Sequence, residues 1–418
     1  MHICIFEDDL YRNLLPLTYF RPVYDLRCGI LTLRERILLH FPTTALTLAV
    51  REYLTPLVKE ENPDVEVNAR DANPTLYVNG RCILSARLAK ELRKLKEDCL
   101  VMTGDTIVAA RLSGDEQMRP SPKGPGGILD FSHLGPTKKV EIEARLVVYP
   151  WDLVYANETE LVNDFLILTK NGKRVQRSGK IHDAAVLIGK KQIHIGKKSK
   201  IDPGAVLDAE SGPIFIGGNV RIYPQAVIEG PCYVGDGSYI KIGAKIYGNT
   251  SIGPLCKVGG EVEHSILHSC ANKQHDGFLG HSYLAPWVNL GAGTTTSNLK
   301  NTYGNVKVNV GGQLIDTGKM FVGLTASDHA KTGINATLDT GTMIGPCSNI
   351  YGTALPPKHV PPFSWGEAGH LQTYEPEKAL DVAVRVMARR NVQATEQYKG
   401  VFRHVFEITK DERTGYRV

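Results

Sequence analysis

The sequence predicts an α/β layer followed by a parallel β-helix and a C-terminal helical tail. Three observations predict it. Short apolar runs alternate with helix-like stretches in the first part of the chain. From residue 186 an apolar residue recurs every sixth position. After Pro361 that period stops and a helical pattern begins. The expected division is 1–175 for the α/β domain, 176–352 for the β-helix and 353–418 for the extension.

In the first region Ile3 to Phe6, Ala45 to Val50, Leu76 to Val78 and Leu100 to Thr103 read as strands. Leu31 to His40 and Ser85 to Leu95 read as helices. Strands alternating with helices predict a parallel sheet. In the second region Ile216, Ile222, Ile228, Val234, Ile240, Ile246, Ile252 and Val258 stand six apart. Ile195, Ile201 and Leu207 keep the same step in a shifted register, and the residue four places after an apolar one is usually small: Ser199, Ala205, Ala226, Cys232, Ser238, Ala244, Thr250, Cys256. Such a period fits neither an α-helix nor a plain strand. It fits a coil of three short faces, with the apolar residue pointing in and the small one near a corner. The repeat breaks around Gly259 to Glu263 and again from Thr294 to Val310, and insertions in a solenoid map to loops. Glu375 to Arg390 reads as a helix with a basic last turn.

The 418 residues carry 49 Lys+Arg and 44 Asp+Glu, a formal charge of +5, which makes no case for nucleic acid or an anionic membrane as partner. The N-terminus turns acidic after six residues and does not read as a signal peptide. No apolar run is long enough to span a bilayer. The eight cysteines contain no Cys-x-x-Cys pair, so reduced thiols and a cytoplasmic location are expected.

Between the two breaks lies Asn272-Lys273-Gln274-His275-Asp276-Gly277-Phe278-Leu279-Gly280-His281, followed by Trp287-Val288-Asn289-Leu290-Gly291-Ala292-Gly293-Thr294. This stretch resembles the acetyltransferase half of the bifunctional N-acetylglucosamine-1-phosphate uridyltransferase/glucosamine-1-phosphate acetyltransferases. Thr332-Gly333-Ile334-Asn335 and Val306 to Val310 are similar to the archaeal-type members of that family. The resemblance implies a left-handed β-helix and a homotrimer with its site between adjacent copies. It implies acetyl transfer from acetyl-CoA to an amino sugar phosphate, with His275 as general base, Glu261 orienting that histidine and Asn289 orienting a reactant. It places Asn298, Lys307 and Phe278 on the sugar and Ala292 and Gly293 on the acetyl-CoA. A histidine suits the task because a sugar ammonium must lose a proton before it attacks a thioester.

This chain departs from the family pattern in places. Phe278 stands where the family has Tyr. Glu263 and Tyr247 replace a Lys and an Arg that bind phosphate. Lys241, Lys245, Lys257 and Lys273 are the lysines available to replace them, with Lys273 taken as substrate-binding. In the N-terminal half Arg12 matches the arginine of a nucleotide-binding loop whose glycines are missing. Arg21 stands in for the loop lysine, and Asp105 for a metal-binding aspartate. The resemblance therefore implies a Rossmann-like nucleotidyltransferase-like domain using a nucleotide, a sugar phosphate and Mg²⁺, in nucleotide-sugar biosynthesis.

Plainer readings stay open. His275 can be a solvated coil-edge histidine, Asn289 a structural ladder residue and Glu261 a surface charge. Asp8 and Asp9 form a turn or hold Mg²⁺. The alternatives for the whole chain are nucleotidyl transfer alone, an inactive sugar-nucleotide scaffold, or a metal hydratase resembling the γ-class carbonic anhydrases, for which His264, His268, His275 and His281 are the candidate ligands.

Overall fold

The computed structural model describes residues 2–42, 45–69, 74–113, 120–123, 127–134 and 137–413. Two compact units emerge. The first is Met1–Leu26, Leu31–Tyr149 and Thr395–His404, and the second is Arg27–Ile30, Pro150–Ala394 and Val405–Val418.

The first unit is built on a seven-stranded sheet in the order Lys138–Glu141, Cys99–Thr103, Thr106–Leu112, Thr75–Asn79, His2–Phe6, Leu46–Ala49, Glu66–Val67. The four expected strands are present, but the sheet is not purely parallel. Thr106–Leu112 runs antiparallel to both neighbours. The reason is local: Gly104-Asp105 reverses the chain in two residues, with Gly104 at φ +55°, so no crossover helix intervenes. Helix Leu33–His40 starts with a capping box, in which Glu35 N donates to Thr32 Oγ1 (3.2 Å) and Thr32 N to Glu35 Oε2 (2.7 Å). Helix Ala86–Arg93 is capped by Ser85 and buries Leu88, Ala89 and Leu92.

The second unit is a parallel β-helix with three faces. One face stacks Lys180–Ile181, Lys200–Ile201, Arg221–Ile222, Tyr239–Ile240, Lys257–Val258 and Asn272–Lys273. The next stacks Val186–Ile188, Val206–Asp208, Val227–Glu229, Lys245–Ile246, Glu261–Glu263 and Phe278–Gly280. The third holds nine strands, from Ile193–Ile195 to His359–Val360. Every apolar residue of the six-step series is buried, and equivalent ones stack in register: Ile222 on Ile240 on Val258, and Ile216 on Val234 on Ile252. The small residues are buried as well. The corner serines do more than fit. Ser238 Oγ donates to Gly253 O (2.8 Å) and accepts from Cys256 N (3.0 Å), which satisfies backbone groups one coil away. The second break in the repeat is an inserted hairpin, Lys307–Val310 with Gln313–Asp316, after which Thr325–Ala326 rejoins the stack beside Tyr283–Leu284.

The compact units do not follow the expected boundaries at 175 and 352. Helix Pro150–Leu168 groups with the β-helix because its polar buried residues bind there. Asn157 Oδ1 accepts from Ser251 Oγ (2.9 Å) and Gly29 N (2.7 Å), and Asp164 Oδ2 accepts from Ile30 N (2.9 Å). In the tail, helix Pro376–Ala388 appears where a helix is expected, with the Glu375 carboxylate capping Glu377 N and Lys378 N. A further helix, Glu396–Ile408, has no counterpart in the sequence reading. The eight cysteines are buried and form no disulfide. Among the described residues no helix is long and apolar enough to cross a membrane.

Candidate functional site

The corner between the first and second β-helix faces opens into a groove of about 510 Å³ lined by Lys241, Ile242, Gln274, His275, Asp276, Ala292, Gly293, Ile334 and Asn335. His275 is exposed on this corner. Ala292 and Gly293 lie one coil further along, so the structure brings these three expected residues together. Gly293 has φ +73°, and a β-carbon there would collide with Asn335 Oδ1, so the turn demands glycine. Ile242 and Ile334 are 66% and 71% exposed and give the groove two apolar walls. The sequence reading missed Ile242, Gln274, Asp276, Ile334 and Asn335 as lining. Their common signal is their position just after the inward residue of a coil.

Other expected residues lie elsewhere. Among the described residues Glu261 makes no hydrogen bond to His275; it sits on the second face, 4.0 Å from Lys245 Nζ. Phe278 stacks next above Glu261. Asn289 stands on the first face between Asn272 and Lys331. Lys273 is not at the surface. It occupies the inward position above Val258, with Nζ donating to Gly259 O (3.2 Å) and His275 O (2.9 Å). Burial pushes its pKa down to about 8. A substrate-binding role for Lys273 is therefore replaced by a structural one: it holds the backbone beneath His275. Lys307 is exposed on the inserted hairpin, away from the groove lining.

Asn298 belongs to a second cluster. Its Nδ2 lies 2.9 Å from Glu263 Oε1 and 3.0 Å from His281 Nδ1. His264 stacks on His281 with ring centroids 4.6 Å apart and planes 6° from parallel. Burial and the neighbouring His264 push His281 down to about 4, so it is neutral near pH 7. Glu263, His264 and His281 have donor atoms within 4.8 Å of one another. They do not fit a zinc ion, because two parallel stacked imidazoles cannot both aim an in-plane lone pair at one metal. His268 and His275 are not part of the cluster. The four-histidine metal centre expected for a hydratase is not assembled among the described residues.

The two faces that meet at the groove differ in charge. The outward column of the second face includes Asp208, Glu229 and Glu263, with Glu261 beside it. Tyr247 feels them: the charge of Glu261 pushes its phenol up, followed by burial and by Glu229 and Glu263. The outward column of the first face is Lys180, Lys200, Arg221, Tyr239 and Lys257.

The first unit has its own cavity, about 490 Å³, at the ends of strands His2–Phe6 and Cys99–Thr103. Asp8, Asp9, Asp105, Asp130, Ser132 and Lys139 line it. Asp8 is held by Arg81, with contacts of 2.7 and 2.5 Å, and is less available to a metal. Asp9 and Asp105 line the same cavity, where a Mg²⁺ ion would need only one or two carboxylates beside its waters. Arg12 and Arg21 do not line this cavity. Arg12 lies over the Tyr11 ring at 5.2 Å, and Arg21 Nη1 donates to Leu17 O (3.0 Å).

An α/β unit with an acidic cavity joined to a grooved hexapeptide β-helix defines a two-site class of chain. Residues 3–173 match the model of the sugar nucleotidyl transferase family. The chain is homologous, at modest identity, to bifunctional sugar-1-phosphate nucleotidyltransferase/acetyltransferases. The bifunctional sugar-1-phosphate nucleotidylyltransferase/acetyltransferase of Sulfurisphaera tokodaii is 34% identical over 151 residues, 33% of this chain and 38% of that protein. The bifunctional protein GlmU of Wigglesworthia glossinidia brevipalpis is 25% identical over 298 residues, 68% of this chain and 59% of that protein. The chain thus spans less than two thirds of the curated relatives it matches. The UDP-N-acetylglucosamine acyltransferase of Francisella novicida aligns with 57% of this chain and 83% of its own, at 19% identity and a TM-score of 0.30.

Proposed function

We propose that the β-helix unit transfers an acetyl group from acetyl-CoA to the amine of an amino sugar phosphate. The observation that carries this reading is His275 in an open groove with the Ala292-Gly293 turn. His275 takes a proton from the sugar ammonium, and the free amine attacks the thioester carbonyl. The C–N bond forms, the C–S bond breaks and coenzyme A leaves as the thiol. The Ala292 N–H can approach the carbonyl oxygen because no side chain at Gly293 intervenes, while the Gly293 N–H is already given to Asp276 O (3.1 Å). This reading includes a homotrimer whose groove is completed by an adjacent copy. The first unit transfers the nucleotidyl group of a nucleoside triphosphate to the sugar phosphate and releases pyrophosphate, and Asp9 and Asp105 would hold the Mg²⁺ that offsets the phosphate charge; the acidic cavity supports that second activity. Eight buried cysteines that form no disulfide support a cytoplasmic setting.

The test is acetyl-CoA-dependent acetylation of glucosamine-1-phosphate by the full chain and by His275→Ala. Loss of about 10²-fold or more in kcat is expected. Equal turnover by the variant overturns the assignment.

A further inference from the structure

The basic face of the β-helix receives the end of the tail helix. Arg390 Nη2 donates to Asn272 Oδ1 at 2.8 Å, and Asn272 stands next above Lys257 in the stack. Lys257 Nζ lies over the Tyr239 ring at 5.6 Å, and Lys241 Nζ over the Tyr223 ring at 5.2 Å. Among the described residues none of Lys241, Lys257, Arg389 and Arg390 forms an ion pair. Burial, followed by the charges of Arg390, Arg389 and Lys241, pushes the Lys257 ammonium below its ordinary value. Lys257 thus feels the charges of the other three. Arg390 Nε is buried and has no acceptor. The buried Arg390 Nε is the donor that an anion oxygen would satisfy, beside three solvent-accessible cations. Lys241 also lines the His275 groove, so the cluster and the groove are continuous.

We propose that Lys241, Lys257, Arg389 and Arg390 form an anion site that seats a phosphate group of the reactant bound in the His275 groove. The inference rests on the acyl-transfer reading of that groove. It relocates phosphate recognition from the second face, where Glu263 and Tyr247 repel or ignore an anion, to the first. Guanidinium forks and ammonium groups together match the oxygens of a phosphate dianion. The groove then has a cationic side for phosphate, and Asp276 supplies a carboxylate in its lining for the amine. The phosphate belongs either to coenzyme A or to the amino sugar phosphate.

Titration calorimetry on the full chain separates the sources, with coenzyme A, pantetheine, glucosamine-1-phosphate and glucosamine as probes. The variants are Lys257→Gln/Arg389→Gln and the charge-preserving Lys257→Arg, with thermal unfolding as the folding control. The site predicts that the double variant weakens one phosphate-bearing probe by about tenfold or more, with a shallower salt dependence. The unphosphorylated counterpart is unchanged, and Lys257→Arg retains binding. Loss confined to coenzyme A assigns the donor, and loss confined to glucosamine-1-phosphate assigns the acceptor. Unchanged affinity for both overturns the site. The readout is binding, so the site can stand if acetyl transfer is absent and can fail if acetyl transfer is present.

Discussion

At the residue scale the groove depends on positions whose side chains have no room to vary. Gly293 is one. With φ +73° and Asn335 Oδ1 where a β-carbon would go, Gly293→Ala is expected to cost about 1–3 kcal/mol and to displace Asn335 from the groove. Thermal unfolding measures the first effect, and an unchanged melting temperature counts against the strain. Lys273 is another. Its ammonium is held inside the coil with its pKa lowered to about 8, while the unfolded chain titrates near the ordinary lysine value. Below pH 8 both states are charged and the folded state bears the burial cost. As pH rises through the window from about 8 toward the unfolded value, the folded state sheds its proton first, so stability rises. Urea midpoints at pH 7 and pH 10 should therefore show a smaller gain in Lys273→Met than in the unchanged chain. An equal gain would show that Lys273 does not titrate in this window.

The residues named from sequence divide along the same physical line. His275, Ala292 and Gly293 were named through the resemblance, and the structure brings them together at one coil corner. Lys273 was misread because the first break in the repeat moves it into an inward column, where Val258 is the residue below. Glu261 was placed beside His275 by resemblance, whereas its strand aims it along the second face toward Lys245. Asp105 was named through the resemblance as the stand-in for a metal-binding aspartate, while Asp130 and Lys139 reach the same cavity through tertiary approach that no local pattern encodes.

At the element scale the coils hold because each corner serine serves backbone groups on neighbouring turns. Ser238→Ala removes an acceptor for Cys256 N and a donor to Gly253 O, both buried. The expected cost is about 1–3 kcal/mol, seen as a lower melting temperature; a neutral result would mean the corner can relax onto other partners. The six-residue period made the β-helix readable strand by strand, since burial on the inward face leaves no alternative register. The antiparallel strand Thr106–Leu112 was not readable as such. Its apolar run looks like any other buried strand, and only the two-residue turn before it reverses direction.

At the scale of the whole molecule the chain holds two candidate sites, one in each compact unit. The acidic cavity of the first unit and the bipolar groove of the second call for separate knockouts. Asp105→Asn is expected to reduce Mg²⁺-dependent pyrophosphate release from nucleoside triphosphate and sugar-1-phosphate by about tenfold or more while leaving acetyl transfer intact. Parallel loss of both activities in that variant would join the two sites into one. The division of the chain was visible as a change of period near residue 186. The grouping of helix Pro150–Leu168 with the β-helix was not, because it is decided by Asn157 and Asp164 binding Gly29 and Ile30 far back in the sequence.

The measurement that tests the central claim most directly is release of free thiol from acetyl-CoA by the purified full chain, supplied with an amino sugar phosphate and no nucleotide. The account predicts thiol release that requires the amine and falls by about 10²-fold or more in His275→Ala. Pyrophosphate release with nucleotide and sugar-1-phosphate, and no thiol release with any amino sugar phosphate, would contradict it.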